Sequence, residues 1–283
     1  MPFTLSHAAA VLPAVRGDGS GRGRLVPAVL VAGSFSPDMT YYAAGLLPGA
    51  MRFGNVTHSF AGVLSVDVLV SWGLVGLWLV LREPLVAQLP RDRQGRWAAL
   101  LRCGTPRARV RPASVGLWYV SAVLGASTHV VWDAFTHHDR WGVRLFPVLG
   151  RSAAGVPVHW YLQYGSSLVA ALVTAAWVGR AVRRMPSSGP VGVPPLSARD
   201  RWWAAAVIGG CAVAGAAQRA LRWAYGNAAA KPWELVPTLC FGLGAGLVPG
   251  LLAYALGVRV WRPAPDAAGP GGADARRTPS AAR

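Results

Sequence analysis

The stretch VGLWYVSAVLGASTHVVWDAFTH, residues 115–137, predicts the fold more directly than any other part of the chain. It is long and apolar enough for one crossing of a bilayer, since a helix needs about 20 apolar residues to span the hydrocarbon core. Gly, Ala and Ser occur throughout it, and such small residues let neighbouring membrane helices approach closely. We therefore expect a membrane-spanning helix that packs against others.

Four further stretches have the same length and character, at residues 60–82, 160–182, 202–221 and 235–258. Two shorter apolar pieces precede them, at residues 6–15 and 25–35, with lengths more typical of interfacial or re-entrant helices. The predicted fold class is an all-α integral membrane protein with about five transmembrane helices and these two short N-terminal helices. We expect one membrane domain over residues 1–260.

Composition agrees with a membrane protein. Hydrophobic residues make up 53% of the 283 residues and charged residues only 14%, with a mean hydropathy of +0.36. Soluble domains carry about a quarter charged residues.

The opening segment lacks the basic start and long apolar core of a cleavable signal peptide. The three cysteines have neither metal-type spacing nor the pattern of a disulfide framework. The expected partner is the lipid bilayer.

The net charge of +17 comes mainly from arginines between the apolar runs, so we interpret it as a topology signal and expect no nucleic acid partner. The loop 82–111 holds eight arginines, the linker 180–201 five and the segment from 259 onward five, against ten basic residues on the opposite side. Loops rich in arginine are retained in the cytoplasm. This predicts a multi-pass protein of the cell membrane with an outer N-terminus and a disordered cytoplasmic tail at 261–283.

The histidines fall on one side of this predicted topology. All six lie outside the membrane or in the outer half of a helix, namely His7, His58, His129, His137, His138 and His159. Ionisable groups within a membrane are costly and usually functional. The one-sided distribution is therefore the main functional indication in the sequence.

The clearest motif is His129-x3-Asp133-x3-His137. Residues four apart lie on one helical face, so the three side chains point the same way. His129 and His137 are about 12 Å apart along the helix, which prevents all three from binding one ion. Two adjacent members could bind an ion together with residues from elsewhere.

Other polar residues at the ends of apolar pieces are candidate partners: His7, Asp38 and His58. Imidazole and carboxylate groups suit zinc or another divalent metal ion. Deeper in the predicted bundle, Asp67 could orient a ligand histidine, and Gln163, with the neighbouring Ser166, could line the same cavity. The alternative for each residue is a hydrogen bond between helices or contact with lipid headgroups.

The sequence also resembles a known family. The opening Met1-Pro-Phe-Thr-x-Ser-His7, Gly33-Ser-x-Ser-Pro-Asp38, Thr57-His58-Ser59, the His129 helix motif and Gln163-Tyr-Gly-Ser-Ser167 resemble an uncharacterised bacterial membrane family, domain of unknown function 4184. That family is distantly similar to membrane-bound metal-dependent hydrolases and, more remotely, to zinc-dependent phospholipase C. The resemblance implies six metal ligands: His7, Asp38, His58, His129, Asp133 and His137.

The leading functional hypothesis is a metal-dependent hydrolase with a one- or two-ion site near the outer membrane face. A bound zinc would lower the pKa of a water to near 7. Asp38 or Asp133 would serve as the catalytic general base where it is not a ligand. The expected substrate is a lipid or small-molecule ester or phosphoester, and this expectation rests only on the predicted location of the site at the membrane face. The alternative is a non-enzymatic scaffold or permease that uses the same polar cluster. The sequence leaves the oligomeric state open.

Overall fold

The structure is a computed structural model that describes residues 4–47, 49–104, 112–190, 192–226 and 235–263. Its α-helices are α1 Ala8–Val11, α2 Pro27–Phe35, α3 Met39–Ala43, α4 Ala50–Thr57, α5 Phe60–Leu64, α6 Val66–Gln88, α7 Arg91–Leu100, α8 Pro112–Thr136, α9 Trp141–Leu145, α10 Val158–Arg184, α11 Ala198–Gly226 and α12 Leu235–Trp261. Short 3-10 turns occupy Thr4–His7, Leu12–Ala14, Ser36–Asp38 and Pro147–Gly150. Strands β1 (Ser152–Ala153) and β2 (Val156–Pro157) form a small antiparallel hairpin.

Five of the described helices are long and apolar enough to cross a bilayer: α6, α8, α10, α11 and α12. This confirms the prediction of an all-α membrane protein with about five spanning helices. Large apolar side chains such as Leu168 and Leu172 on α10 are exposed, as expected for helices surrounded by lipid. The predicted disordered tail lies outside the described residues from position 264 onward.

The second short N-terminal piece forms α2, which packs between α6 and α8. Val29 and Leu30 on this helix are 0% and 1% exposed. Pro27 stands at the first helical position, where its missing N–H and fixed φ are favourable. The helix is therefore buried within the bundle, and the turn that follows it carries Asp38 into the interior.

A close crossing of α2 and α8 depends on two glycines. A Cβ added to Gly33 would lie 2.5 Å from the carbonyl oxygen of Ala122, and one added to Gly125 would lie 2.3 Å from that of Leu30. Both distances are far below van der Waals contact. The absence of side chains here lets the two backbones touch, as small residues do in membrane helix pairs.

The stretch 60–82 is divided in the structure at Ser65, whose φ of −132° and ψ of −83° interrupt the helix. The short helix α5 starts at Ser59, whose side chain accepts the N–H of Gly62 as an N-cap. The longer helix α6 then runs from Val66 to Gln88. The interruption places Asp67 in the first turn of α6, at the buried end of the helix.

Helix α11 anchors the segment that follows Asp38. The Arg219 guanidinium donates to the carbonyl oxygen of Tyr41, while Gln218 and Arg222 donate to that of Gly45. These donors satisfy carbonyls that would otherwise remain free at the C-terminal end of α3. The position of Tyr41 is therefore fixed by a distant spanning helix.

Candidate metal centre

Four buried side chains from three parts of the chain meet at one point: Asp38, His58, His129 and Asp133. Asp38 ends the 3-10 turn after α2, His58 follows the last residue of α4, and the other two lie one turn apart on α8. One potential ligand atom from each lies within 4.8 Å of those from the other three. The fold thus gathers two imidazoles and two carboxylates in the protein interior.

The imidazole and carboxylate atoms in this cluster are close but not hydrogen-bonded. His129 Nε2 lies 3.3 Å from Asp38 Oδ1 and 3.4 Å from Asp133 Oδ2. His58 Nε2 lies 3.5 Å from each of the same two oxygens. N–H···O hydrogen bonds are usually 2.7–3.2 Å long. Asp38 Oδ1, His58 Nε2 and His129 Nε2 have no hydrogen-bond partner among the described residues, although all three are buried.

The other ring nitrogens of the two histidines have partners. His129 Nδ1 lies 2.7 Å from the carbonyl oxygen of Ser34, and His58 Nδ1 lies 2.9 Å from that of Gly54. A carbonyl can only accept, so each Nδ1 donates its N–H to a carbonyl oxygen and Nε2 is the nitrogen of each ring that faces the cluster. Metal-binding histidines are oriented in the same way, by donation from the nitrogen that does not bind the ion.

Asp38 is oriented by a hydroxyl chain. Thr4 donates to Asp38 Oδ2 over 2.6 Å, and the Tyr42 hydroxyl donates to the Thr4 oxygen over 3.0 Å. These bonds use one carboxylate oxygen and leave Oδ1 facing the two histidines. Thr4 therefore determines which oxygen of Asp38 enters the cluster.

We expect Thr4→Val to weaken zinc binding by roughly 10–100-fold, the usual effect of removing a hydrogen bond that orients a metal ligand. Valine keeps the shape of threonine but leaves Asp38 Oδ2 without its donor. Thr4→Ser is the matched control because it retains the hydroxyl. Competition against a fluorescent zinc chelator measures both affinities, and an unchanged affinity in Thr4→Val would show that the hydroxyl does not position Asp38.

The second oxygen of Asp133 faces two further histidines. Asp133 Oδ1 lies 3.5 Å from His7 Nε2 and 3.5 Å from His137 Nδ1. The His7 ring stacks on that of His129, with ring centroids 3.7 Å apart. Gln163 Nε2 lies 3.0 Å from His137 Nε2. The two oxygens of Asp133 thus face different histidines. Oδ2 faces the deep group, His58 and His129, and Oδ1 faces the shallower group, His7 and His137.

The charges in the loops around the cluster favour a bound cation. Burial lowers the pKa of His7 to about 3 and that of His137 to about 4, so both rings are neutral at neutral pH. Burial alone would raise the pKa of Asp38, but His129 and His58 hold it below its usual range. Burial opposes protonation of His58, yet Asp133 and Asp38 outweigh it and raise its pKa. A positive charge is therefore stabilised between the two carboxylates.

The distances between the histidine nitrogens and the carboxylate oxygens fit ligands that share one ion. Zinc binds imidazole nitrogen and carboxylate oxygen at about 2.0–2.2 Å, which places neighbouring ligand atoms of a tetrahedron about 3.4 Å apart. The four distances between the histidine nitrogens and carboxylate oxygens are 3.3–3.5 Å. Two carboxylates also supply the charge that offsets a divalent ion. The residues present therefore fit the metal that the sequence predicts.

The remaining predicted site residues lie around this cluster. Asp67 is fully buried, and neither of its carboxylate oxygens has a hydrogen-bond partner among the described residues. Asp67 interacts electrostatically with His58 and His129. The Nδ1 atoms of these two histidines are bonded to carbonyl oxygens and not to Asp67. Ser166 accepts the indole N–H of Trp132, and that indole packs edge-on against His7.

Two histidines of the predicted outer set lie apart from the ligand group. His138 and His159 face each other with ring centroids 6.0 Å apart, and His159 Nδ1 contacts the carbonyl oxygen of Leu149. Conversely, the sequence gives no indication of a role for Thr4 or for the carbonyl of Ser34, although both lie in the quoted motifs. A carbonyl acceptor has no side-chain signature and can be found only from the folded chain.

Fold and cluster together define the class: a multi-pass helical membrane protein with a buried group of His and Asp side chains that could hold a metal ion. The chain belongs to the family described as Domain of unknown function (DUF4184), whose model matches residues 1–256. The match spans every member of the cluster and confirms the resemblance to that family. No curated protein and no solved structure matches the chain.

Proposed function

We propose that the protein is a membrane-bound metal-dependent hydrolase whose central ion, zinc or another divalent metal, is held by Asp38, His58, His129 and Asp133. The observation that carries the proposal is the convergence of four buried ligand atoms within 4.8 Å of one another, three of them without a hydrogen-bond partner among the described residues. When bound, such an ion lowers the pKa of a water so that hydroxide is available at neutral pH.

The shallower group gives Asp133 a second role. Its Oδ2 faces the deep histidines, while its Oδ1 faces His7 and His137. With one ion bound, we assign Asp133 Oδ1 as the general base that accepts a proton from water, since Asp38 Oδ2 is occupied by Thr4. With two ions, Asp133, His7 and His137 would hold the second ion, once His137 Nδ1 has lost the proton that it directs at the Asp133 carbonyl oxygen. The number of ions bound per chain distinguishes the one-ion site from the two-ion site.

The packing beneath the cluster favours a closed pocket rather than a transport path. Beyond Asp67, the space between α2, α6 and α8 is filled by an apolar core that includes Val68, Val75 and Ala122, with Trp72 packed against it. A permease would need polar groups that continue from the cluster toward the opposite face. This core favours the hydrolase over the permease alternative.

Access to the cluster is from the side of His7 and His137. The His137 side chain is 17% exposed, more than that of His7 and of each of the four cluster members. Leu5, two residues before His7 in the same 3-10 turn, is an exposed apolar side chain, at 72%. We infer that the substrate is an ester or phosphoester at the membrane surface. From the distribution of arginines we infer that this surface is on the outer side of the cell membrane, with the C-terminal tail in the cytoplasm.

Hydrolysis assays on the detergent-purified full chain test the proposal. We expect zinc- or manganese-loaded protein to hydrolyse a chromogenic phosphodiester or carboxylic ester, with activity abolished by a chelator and restored by the metal. The Asp133→Asn variant is the control for contaminating hydrolases, because it keeps the shape but removes the carboxylate. Loaded wild-type protein that hydrolyses neither substrate faster than Asp133→Asn would contradict the assignment.

A further inference from the structure

Arg140 lies beside the candidate metal centre without a role in it. It follows His137 by three residues, and its backbone N–H donates to the His137 carbonyl oxygen. Its guanidinium interacts with the Tyr41 side chain, whose ring in turn packs against His58 with centroids 5.6 Å apart. The chain thus places a permanent positive charge one side chain away from a cluster ligand.

Among the described residues, little negative charge compensates the positive charge of Arg140. The carboxylate nearest to it is that of Asp139, 4.0 Å from Arg140 Nε, and the Asp139 side chain is 76% exposed. Exposed ion pairs of this kind contribute little. Arg140 Nε itself is buried and has no hydrogen-bond partner among the described residues. A guanidinium carries five N–H donors, so contact with Tyr41 leaves most of its capacity unused.

Tyr41 is held firmly enough to form one wall of a subsite. Its carbonyl oxygen accepts from Arg219 on α11. A Cβ added to Gly54 would lie 2.6 Å from the Tyr41 ring, so the ring rests directly on the backbone of α4. The carbonyl oxygen of Gly54 also accepts the N–H of His58 Nδ1. One short stretch of α4 therefore positions both Tyr41 and a cluster ligand.

We propose that Arg140 and the Tyr41 hydroxyl form a binding subsite for an oxyanion, specifically the phosphoryl group of the substrate, next to the metal ligands. Guanidinium groups match phosphate oxygens in charge and in the spacing of their donors. The proposal rests on the function proposed above and narrows it, because a neutral carboxylic ester offers no anionic group for Arg140. It makes the substrate a phosphoester, from a lipid headgroup or from a water-soluble compound.

Binding of inorganic phosphate to the zinc-loaded full chain in detergent tests the subsite. We expect Arg140→Gln to weaken phosphate binding by roughly 10–100-fold, the range for loss of charged hydrogen bonds, and Arg140→Lys by less. Arg144→Gln is the matched control, since Arg144 lies one turn further on and is exposed. Bound zinc, measured in the same samples, should be equal in all variants.

The outcomes separate the two proposals. Equal phosphate affinity in wild type and Arg140→Gln, or no phosphate binding by zinc-loaded wild type, would overturn the subsite while leaving the metal centre intact. Failure to bind zinc would instead overturn the metal centre. Competition by glycerol 3-phosphate and by a short-chain phosphatidylglycerol then identifies the source of the phosphoryl group. Tighter binding of the lipid assigns a headgroup, equal binding assigns a soluble phosphoester, and competition by neither overturns the subsite.

Discussion

Replacing His129 and Asp133 together by alanine is expected to remove the tightly bound divalent ion while the protein still inserts and folds. The two residues contribute two of the four deep ligand atoms, and Asp133 also faces His7 and His137. With only Asp38 and His58 left, a tetrahedral ion loses half of its protein ligands. Insertion depends on apolar length, which the substitutions do not reduce.

His138→Ala is the matched control for this variant. His138 is adjacent to His137 but exposed and outside the ligand group, so its loss removes an imidazole without changing the centre. Metal content by mass spectrometry and size-exclusion profiles in detergent should be recorded for wild type and both variants. The same metal content in the double variant as in wild type would exclude these residues as ligands.

Substitution of Gly125 by leucine is expected to disrupt both the fold and the metal centre. A Cβ at this position would lie 2.3 Å from the Leu30 carbonyl oxygen and 2.9 Å from Gly33 Cα. Backbone atoms cannot rotate away, so α2 and α8 must separate. The expected destabilisation is about 3 kcal/mol, at the upper end of the usual range for overpacking. Because α2 leads to Asp38 while α8 carries His129, zinc affinity should fall as well.

Gly116→Leu provides the control on the same helix. A Cβ at Gly116 meets nothing within 4 Å, so leucine there points away from the bundle. Thermal unfolding in detergent and zinc affinity should match those of wild type for Gly116→Leu and decrease for Gly125→Leu. An unchanged unfolding midpoint in Gly125→Leu would mean that α2 and α8 do not cross in this way.

The sequence predicts the parts of this protein that depend on local pattern. Apolar length identifies the spanning helices, and a spacing of four places His129, Asp133 and His137 on one face of α8. The structure agrees in both respects, with His129 and His137 on opposite oxygens of Asp133. Helical geometry alone explains why these three residues could be assigned to one face before any tertiary contact was known.

The rest depends on tertiary contacts that no local pattern encodes. Asp38 and His58 reach α8 only because α2 enters the bundle at the Gly33–Gly125 crossing and the chain then turns back. The break at Ser65 has no strong signal, since serine is common in membrane helices. In the sequence Arg140 is only a loop charge, because its interaction with Tyr41 is a tertiary contact between the segment after α8 and α3.

The central claim is that this buried cluster of His and Asp side chains binds a divalent ion. Metal analysis of detergent-purified wild-type protein, after incubation with zinc and extensive dialysis against metal-free buffer, tests it most directly. We expect one or two ions to be retained per chain, with two indicating that His7 and His137 complete a second site. Protein that retains no zinc, manganese or iron after this treatment would contradict it.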